Sequence, residues 1–140
     1  MNPRTSSARV LLLDDHLGVL RQVAQLLPAR FEVVAALQDA EALPEAMEKY
    51  QPDLVVLDIT LPGASGIELA SQLLSAGYSG KVVFLTVHDD ADYARAGFAA
   101  GGSGYVIKAR LASDLVPALE AALEGRKFVS PGVELSSLAQ

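Results

Sequence analysis

Short apolar runs alternate along this chain with segments whose apolar residues recur at helical spacing. The central run, Leu54 to Leu57, follows Pro52, is too short for a helix and is β-branched at its centre. These properties are typical of a strand that is buried on both faces. Similar runs occur at residues 9–13, 31–37, 81–86 and 105–107. Strands that alternate with helices through short loops predict a parallel sheet covered on both faces by right-handed crossovers.

Five amphipathic helices are predicted from the segments that follow these strands. Their apolar stripes cover residues 17–27, 40–50, 67–74, 91–100 and 111–123. Asp39 is the predicted N-cap of the second helix. Gly97 weakens the fourth helix by about 1 kcal/mol relative to alanine, so we expect that helix to be the most mobile. Pro117 removes a hydrogen bond one turn into the last helix, and we expect its first turn to be irregular.

The length and composition of the chain exclude several classes of function. The 140 residues suit one domain, and the absence of cysteine excludes thiolate metal sites, thiol nucleophiles and a disulfide framework. A formal net charge of −6 argues against direct nucleic-acid binding by this chain. Aliphatic runs such as Val10 to Leu13 are far below the ~20 residues of a membrane span. We therefore expect a cytoplasmic protein that does not enter a membrane.

Polar residues stand at the carboxyl ends of four predicted strands. They are Asp14 and Asp15, Asp58, Thr86 and Lys108, and folding a parallel sheet brings such positions to one edge. Three carboxylates there repel one another, and a divalent cation would neutralise them. Oxygen ligands favour Mg²⁺, which is usually completed by phosphate. Lys108 and Thr86 would then bind the phosphate, and Asp58, nearest the sheet centre, could form an acyl phosphate.

Four segments carry a resemblance to a known family. They read LLLDDH at the first strand, VVLDITLPGASG around Asp58, VVFLTVHDD at the fourth strand and AGGSGYVIK before the last helix. In these segments the chain strongly resembles response-regulator receiver domains of two-component signalling, over about residues 9–127. It is most similar to the subfamily in which a helix-turn-helix DNA-binding domain follows. The resemblance implies a flavodoxin-like, doubly wound, five-stranded parallel sheet of order 2-1-3-4-5 with five helices.

The resemblance also implies roles for individual residues. Asp58 would be the phosphoacceptor for a sensor histidine kinase, and Asp14 and Asp15 would hold Mg²⁺ together with it. Thr86 and Lys108 would contact the phosphoryl group. Tyr105 would be the aromatic residue whose rotamer reports activation to the face formed by the last two helices and the strand between them. DNA binding would belong to a C-terminal domain that is absent from this chain.

Three positions are expected to lie near the water that would attack the phosphoryl group. Val87 is bulkier than the small residue usual after the threonine, and Thr60 and His88 each lie two positions beyond a site residue. We predict that these three residues set the lifetime of the acyl phosphate. His16 and His88 are isolated histidines, and we interpret neither as a metal ligand.

Two other function classes are alternatives to the receiver. A phosphohydrolase with an aspartyl-phosphate intermediate would share the nucleophile, but the form we know has a second aspartate where Thr60 stands. A receiver-like module that signals by contacts alone is disfavoured by the complete set of Asp, Thr and Lys, although Val87 keeps it open.

The predicted domain organisation has three parts. Residues 1–8 are a flexible tail, 9–127 the receiver domain, and 128–140 a C-terminal linker or extension. Phosphorylation is expected to change partner affinity, or to form a homodimer, through the face between Ala91 and Leu123.

Overall fold

The computed structural model describes residues 7–133, and within them a parallel sheet forms the centre of the molecule. The predictions for residues 1–6 and 134–140 lie outside the described residues. The strands are β1 (Ala8–Leu13), β2 (Phe31–Leu37), β3 (Leu54–Leu57), β4 (Thr60–Leu61), β5 (Ala64–Ser65), β6 (Lys81–Thr86), β7 (Gly104–Ile107) and β8 (Phe128–Val129). The helices are α1 (Leu17–Leu26), α2 (Leu43–Tyr50), α3 (Gly66–Ser75), α4 (Ala91–Ala99) and α5 (Leu111–Leu123).

The order of the strands in the main sheet is β2-β1-β3-β6-β7-β8, and each neighbouring pair is parallel. The strands β2, β1, β3, β6 and β7 correspond to the predicted strand order 2-1-3-4-5. The flavodoxin-like fold is therefore confirmed. The strands β4 and β5 form a separate antiparallel hairpin in the loop after β3.

Side chains of the central strands alternate between two apolar clusters, one on each face of the sheet. On one face, Val10, Leu54 and Val56 pack with residues of α1 and α5. On the other, Leu11 and Val55 pack with residues of α2, α3 and α4. This alternation follows from the period of two in a strand. Burial of each such side chain stabilises the fold by about 1.5–3 kcal/mol, so β3 is held firmly at the centre.

The sixth strand was not predicted. The sequence from residue 128 was interpreted as a linker or extension, but Phe128 and Val129 pair with the edge of β7. Ser130 and Val133 are also buried, with 1% and 7% of their surfaces exposed. Two apolar residues between polar ones give too little pattern to predict a strand, because this pairing depends on the neighbouring strand in space.

The starts of α2 and α5 differ in detail from the sequence expectations. The carboxylate of Asp39 caps a 3₁₀ turn, Ala40–Ala42, by accepting a hydrogen bond from the Glu41 N–H at 3.0 Å, and α2 begins only at Leu43. A 3₁₀ turn, Lys108–Arg110, precedes α5, which continues through Pro117.

Gly97 has a packing role in α4. A Cβ atom at this position would lie 2.9 Å from the Phe84 ring. The glycine therefore lets α4 approach β6 closely, in addition to lowering helix propensity. No helix within residues 7–133 is long and apolar enough to cross a membrane.

Candidate functional site

The carboxyl ends of β1 and β3 bring two of the predicted acids side by side. Leu13 pairs with Leu57 in the parallel ladder, so Asp14 and Asp58 are the next residues on adjacent strands. The Asp58 N–H donates a hydrogen bond to the Leu13 carbonyl at 3.0 Å, which extends the ladder into the site. Both carboxylates are buried. The rigid strands thus hold two acids in a place with little access to water.

Lys108 joins these two carboxylates. Its Nζ lies 2.8 Å from Asp14 Oδ2 and 3.1 Å from Asp58 Oδ2. The other Asp58 oxygen, Oδ1, accepts a hydrogen bond from the Thr60 N–H at 3.2 Å. The ammonium group therefore lies where an anion attached to Asp58 would find a positive charge.

The electrostatic environment shifts the pKa values of Asp58 and Lys108 upward. Burial, together with repulsion from Asp14, raises the pKa of Asp58, and the hydrogen bonds from Lys108 and Thr60 offset this only in part. Burial alone would lower the pKa of Lys108, but its bonds to Asp14 and Asp58 outweigh that effect and raise it. A carboxylate with a raised pKa binds a cation or an electrophile more readily than an ordinary one.

A cation would fit the acidic cluster. One ligand atom from each of Asp14, Asp15, His16 and Asp58 lies within 4.8 Å of the others. Three carboxylates in such a space are the oxygen donors that Mg²⁺ prefers, with coordination sites left for water or phosphate. The donor set therefore fits the metal that the sequence analysis expected.

His16 is part of this cluster by position, which the sequence analysis did not foresee. Its ring Nδ1 lies 3.1 Å from Asp14 Oδ1, and its backbone N–H donates to the same oxygen at 2.9 Å. Asp14 thereby orders the turn before α1, whereas the N-cap residue itself is His16. The only signal in the sequence was that His16 directly follows the acidic pair.

Thr86 and Tyr105 are connected through the loop after β6. The buried Thr86 hydroxyl accepts a hydrogen bond from the His88 N–H at 3.1 Å, and the Tyr105 hydroxyl donates to the His88 carbonyl at 2.8 Å. The His88 ring stacks on Tyr93 with 4.1 Å between centroids, and its Nε2 lies 2.9 Å from Thr60 Oγ1. Two of the three predicted lifetime residues, Thr60 and His88, are therefore in direct contact.

The third lifetime residue, Val87, is on the surface. Val87 is 67% exposed and is one of the large exposed apolar residues of the described chain. Val87 directly follows the buried Thr86 in sequence, but it is itself open to solvent.

A well-formed cleft in the described part of the chain lies away from the acidic cluster. It has a volume of about 830 Å³ and is lined by residues of α2, by Leu73 of α3 and by the loops before β3 and β6, among them Asp53 and Tyr78. Those loops lead into the amino ends of the strands, and the cleft shares no residue with the acidic cluster. The acidic cluster therefore lies at the opposite edge of the sheet from this cleft.

A parallel α/β sheet with an acidic cluster and a lysine at its carboxyl edge is the arrangement of a receiver-type signalling domain. The family profile described as response regulator receiver domain matches residues 10–120. The chain belongs to this family and is the receiver domain of a two-component response regulator.

Two curated relatives are similar over most of this chain. The transcriptional regulatory protein DegU of Brevibacillus brevis is 34% identical over 129 residues, which are 89% of this chain and 54% of the relative. The DNA-binding transcriptional activator EvgA of Escherichia coli K12 is 28% identical, over 82% of this chain and 57% of the relative. The chain thus spans little more than half the length of these relatives.

Solved structures agree with the fold. A two-component response regulator of the LuxR family from Aurantimonas sp. SI85-9A1 has a TM-score of 0.88 and 36% identity, covering 96% of this chain and 99% of that one. The isolated REC domain of RcsB from Salmonella enterica serovar Typhimurium, solved with the phosphomimetic BeF₃⁻, has a TM-score of 0.80 and 25% identity, covering 91% and 96%.

Proposed function

We propose that Asp58 accepts a phosphoryl group from a sensor histidine kinase in a Mg²⁺-dependent reaction. The observation that carries this proposal is the buried Asp58 carboxylate, which Lys108 connects to Asp14 by contacts of 3.1 and 2.8 Å. The chain acts as a signalling switch, and its only chemistry is its own phosphorylation and slow dephosphorylation.

The transfer forms a bond between one Asp58 oxygen and phosphorus and breaks the bond between phosphorus and the donor nitrogen, which keeps the bonding electron pair. Lys108 follows the new negative charge with its mobile ammonium group, and the Thr86 hydroxyl donates to a phosphoryl oxygen. Asp14, Asp15 and Asp58 would hold Mg²⁺, which neutralises the phosphoryl oxygens when bound. Hydrolysis reverses the state, as water attacks phosphorus and Asp58 leaves as the carboxylate.

The added charge of about −1.5 to −2 biases the switch. Thr86 and Lys108 are drawn inward, and the His88 loop moves with the Thr86 hydroxyl that it contacts. Because Tyr105 donates to the His88 carbonyl, this movement reaches α4, β7 and α5, the face that changes affinity for a partner or forms a homodimer. The name of the relative EvgA, a DNA-binding transcriptional activator, supports an output through a separate C-terminal domain.

Thr60, Val87 and His88 would set how long the phosphoryl group persists. The contact between Thr60 and His88 forms a bridge next to the Asp58 side chain, and the exposed Val87 lies beside it. Such a bridge limits where an attacking water can approach phosphorus.

The direct test is the intact mass of the protein after incubation with a small-molecule acyl phosphate and Mg²⁺. We expect one phosphoryl group on the wild type, none on Asp58→Ala, and one on the control Asp89→Ala, which removes an exposed acid. A phosphoryl group that persists on Asp58→Ala, or sustained hydrolysis of phosphomonoesters by the wild type, would reject the proposal.

Dimer formation is tested separately by sedimentation velocity with and without the acyl phosphate and Mg²⁺. A change in the sedimentation coefficient on phosphorylation is expected if the switch works through a homodimer. Identical sedimentation of fully phosphorylated and unmodified protein would reject the homodimer and leave the phosphoacceptor role intact.

A further inference from the structure

The segment 128–133, which we name the C-terminal strap, closes the edge of the sheet next to β7. Gly104 pairs with Phe128 and Tyr105 with Val129. The Phe128 N–H donates to the Ser103 carbonyl at 3.1 Å, and the Ser130 N–H donates to the Tyr105 carbonyl at 2.9 Å. The strap is therefore bonded to the backbone of Tyr105, whose hydroxyl contacts the loop after Thr86.

A buried side-chain cluster fastens the strap to β7, the strand that ends directly before Lys108. The Ser130 hydroxyl accepts a hydrogen bond from the Ile107 N–H at 3.0 Å and donates one to Asp114 Oδ2 at 2.7 Å. Arg110 Nε donates to the same Asp114 oxygen at 2.8 Å. Ser130 is 1% and Asp114 5% exposed. Since Ile107 directly precedes Lys108, the strap holds the backbone from which Lys108 reaches Asp14 and Asp58.

Apolar contacts extend the strap to the opposite side of β7. Val129 and Val133 pack in the cluster that contains Tyr105 and Ala94 of α4. The ammonium group of Lys127, just before the strap, lies 5.4 Å from the centroid of the Phe98 ring in α4. The strap thus contacts α5 through Asp114 and the α4 side through its valines, on either side of the strand that ends at the site.

We propose that Ser130 and Asp114 are positioning residues for Lys108, and that docking of the strap and occupation of the phosphoryl site stabilise each other. The inference rests on the proposed phosphoacceptor function of Asp58. A phosphoryl group holds Lys108 and, through it, the backbone at Ile107, which is one of the groups that Ser130 binds. Coupling between two equilibria is reciprocal, so the strap must affect the phosphoryl site as much as the site affects the strap. Phosphorylation of Asp58 thereby changes how firmly the strap, which leads to the chain beyond Val133, is docked.

The strap side of this coupling is tested by hydrogen exchange on the full 140-residue chain, with Mg²⁺ alone and with Mg²⁺ and beryllofluoride as the phosphoryl mimic. We expect the amides of Phe128 and Ser130 to exchange about fivefold or more slowly when beryllofluoride is bound, within the usual range of allosteric coupling. This measurement needs no variant. Unchanged exchange in the strap at saturating beryllofluoride overturns the proposal.

The site side is tested by comparing beryllofluoride affinity between Ser130→Ala and the matched control Ser113→Ala. Ser113 donates to the other Asp114 oxygen, Oδ1, at 3.0 Å and belongs to α5, outside the strap. We expect Ser130→Ala to bind beryllofluoride about fivefold or more weakly, with Mg²⁺ affinity unchanged, and Ser113→Ala to match the wild type. Equal beryllofluoride affinity in both variants overturns the proposal.

The two proposals can fail separately. If the wild type binds beryllofluoride through Asp58 but the strap does not respond, only the strap inference is wrong. If the wild type does not bind it, or Asp58→Ala binds it equally well, the phosphoacceptor role and the strap inference both fall.

Discussion

Two buried carboxylates of this receiver, Asp58 and Asp114, have pKa values shifted in opposite directions. Burial and the nearby Asp14 raise the pKa of Asp58, because Lys108 and one backbone N–H compensate only in part. Burial alone would also raise the pKa of Asp114, but hydrogen bonds from Ser130, Arg110 and Ser113 outweigh it and lower the pKa. The two pKa shifts differ in direction because Asp114 has more compensating hydrogen-bond donors and Asp58 has a second carboxylate beside it.

The lowered pKa of Asp114 predicts a pH-dependent contribution to stability. A carboxylate with a lower pKa in the folded state stabilises it fully above the unfolded value of about 3.9, and the contribution is lost as the pH falls through the folded value. We expect Asp114→Asn to lower the free energy of unfolding by about 1–3 kcal/mol at pH 7. The difference from the wild type should shrink from about pH 5 downward.

Urea denaturation over this pH range measures the effect. Asp92→Asn is the matched control, because the Asp92 side chain is 88% exposed, and a change within about 0.5 kcal/mol at every pH is expected for it. A difference between Asp114→Asn and the wild type that does not depend on pH would contradict the assignment.

Loss of the contact between His88 and Thr60 is expected to change the rate of dephosphorylation. His88→Ala removes the hydrogen bond to Thr60 and opens the space where water approaches, so we expect autodephosphorylation about three- to tenfold faster, equivalent to roughly 0.7–1.4 kcal/mol. Val87→Ala should act in the same direction. The loss of protein-bound phosphate with time measures it, with Tyr93→Phe as a control that keeps the ring under His88. Unchanged rates in both variants would show that these residues do not set the lifetime.

At the scale of elements, the start of α3 lies directly against the backbone of Asp58. A Cβ atom on Gly66 would lie 1.9 Å from the Asp58 carbonyl oxygen and 2.9 Å from Ile59 Cα. Both are backbone atoms, so neither can move aside as a flexible side chain could. The glycine lets the chain turn from the short hairpin β4–β5 into α3 directly against the backbone of Asp58.

Gly66→Ala is therefore expected to lower the free energy of unfolding by about 1–3 kcal/mol or more, because the backbone at Asp58 must shift. Gly18→Ala is the matched control: nothing lies within 4 Å of a Cβ there, and alanine should stabilise α1 by up to about 1 kcal/mol. Urea denaturation compares the two. Equal stability of both variants would mean that the approach at Gly66 is not tight.

At the scale of the whole molecule, β3 lies near the centre of the sheet and β8 forms one of its edges. A chain that ends at Lys127 lacks β8 and the valines that pack around Tyr105, and it exposes the hydrogen-bonding groups of β7. We expect a free energy of unfolding lower by roughly 2–5 kcal/mol and a tendency to self-associate through the exposed edge.

Urea denaturation and sedimentation velocity of the shortened and full chains test this expectation, with unphosphorylated protein in both cases. A shortened chain as stable and as monomeric as the full chain would show that β8 contributes nothing to the domain, and that the edge of β7 needs no cover.

The sequence by itself determined the order of the elements and the edge at which the site lies. Short β-branched runs such as Leu54 to Leu57 are typical of buried strands, and strands that alternate with helices favour a parallel sheet. The sequence therefore predicted that Asp14, Asp58 and Lys108 lie on the same side. That argument needs only local patterns and the geometry of parallel sheets.

Only the tertiary structure decided which of those side chains touch, and where the chain goes after α5. Three contacts join residues that are far apart in sequence or on different elements. They are the bridge from Lys108 to two carboxylates, the contact of His88 with Thr60, and the hydrogen bond from Ser130 to Asp114. Leu123 shares the apolar stripe of Leu115 and Leu119, yet it is 47% exposed while they are fully buried. Such contacts depend on how elements meet in space, and a pattern confined to one segment carries no information about that meeting.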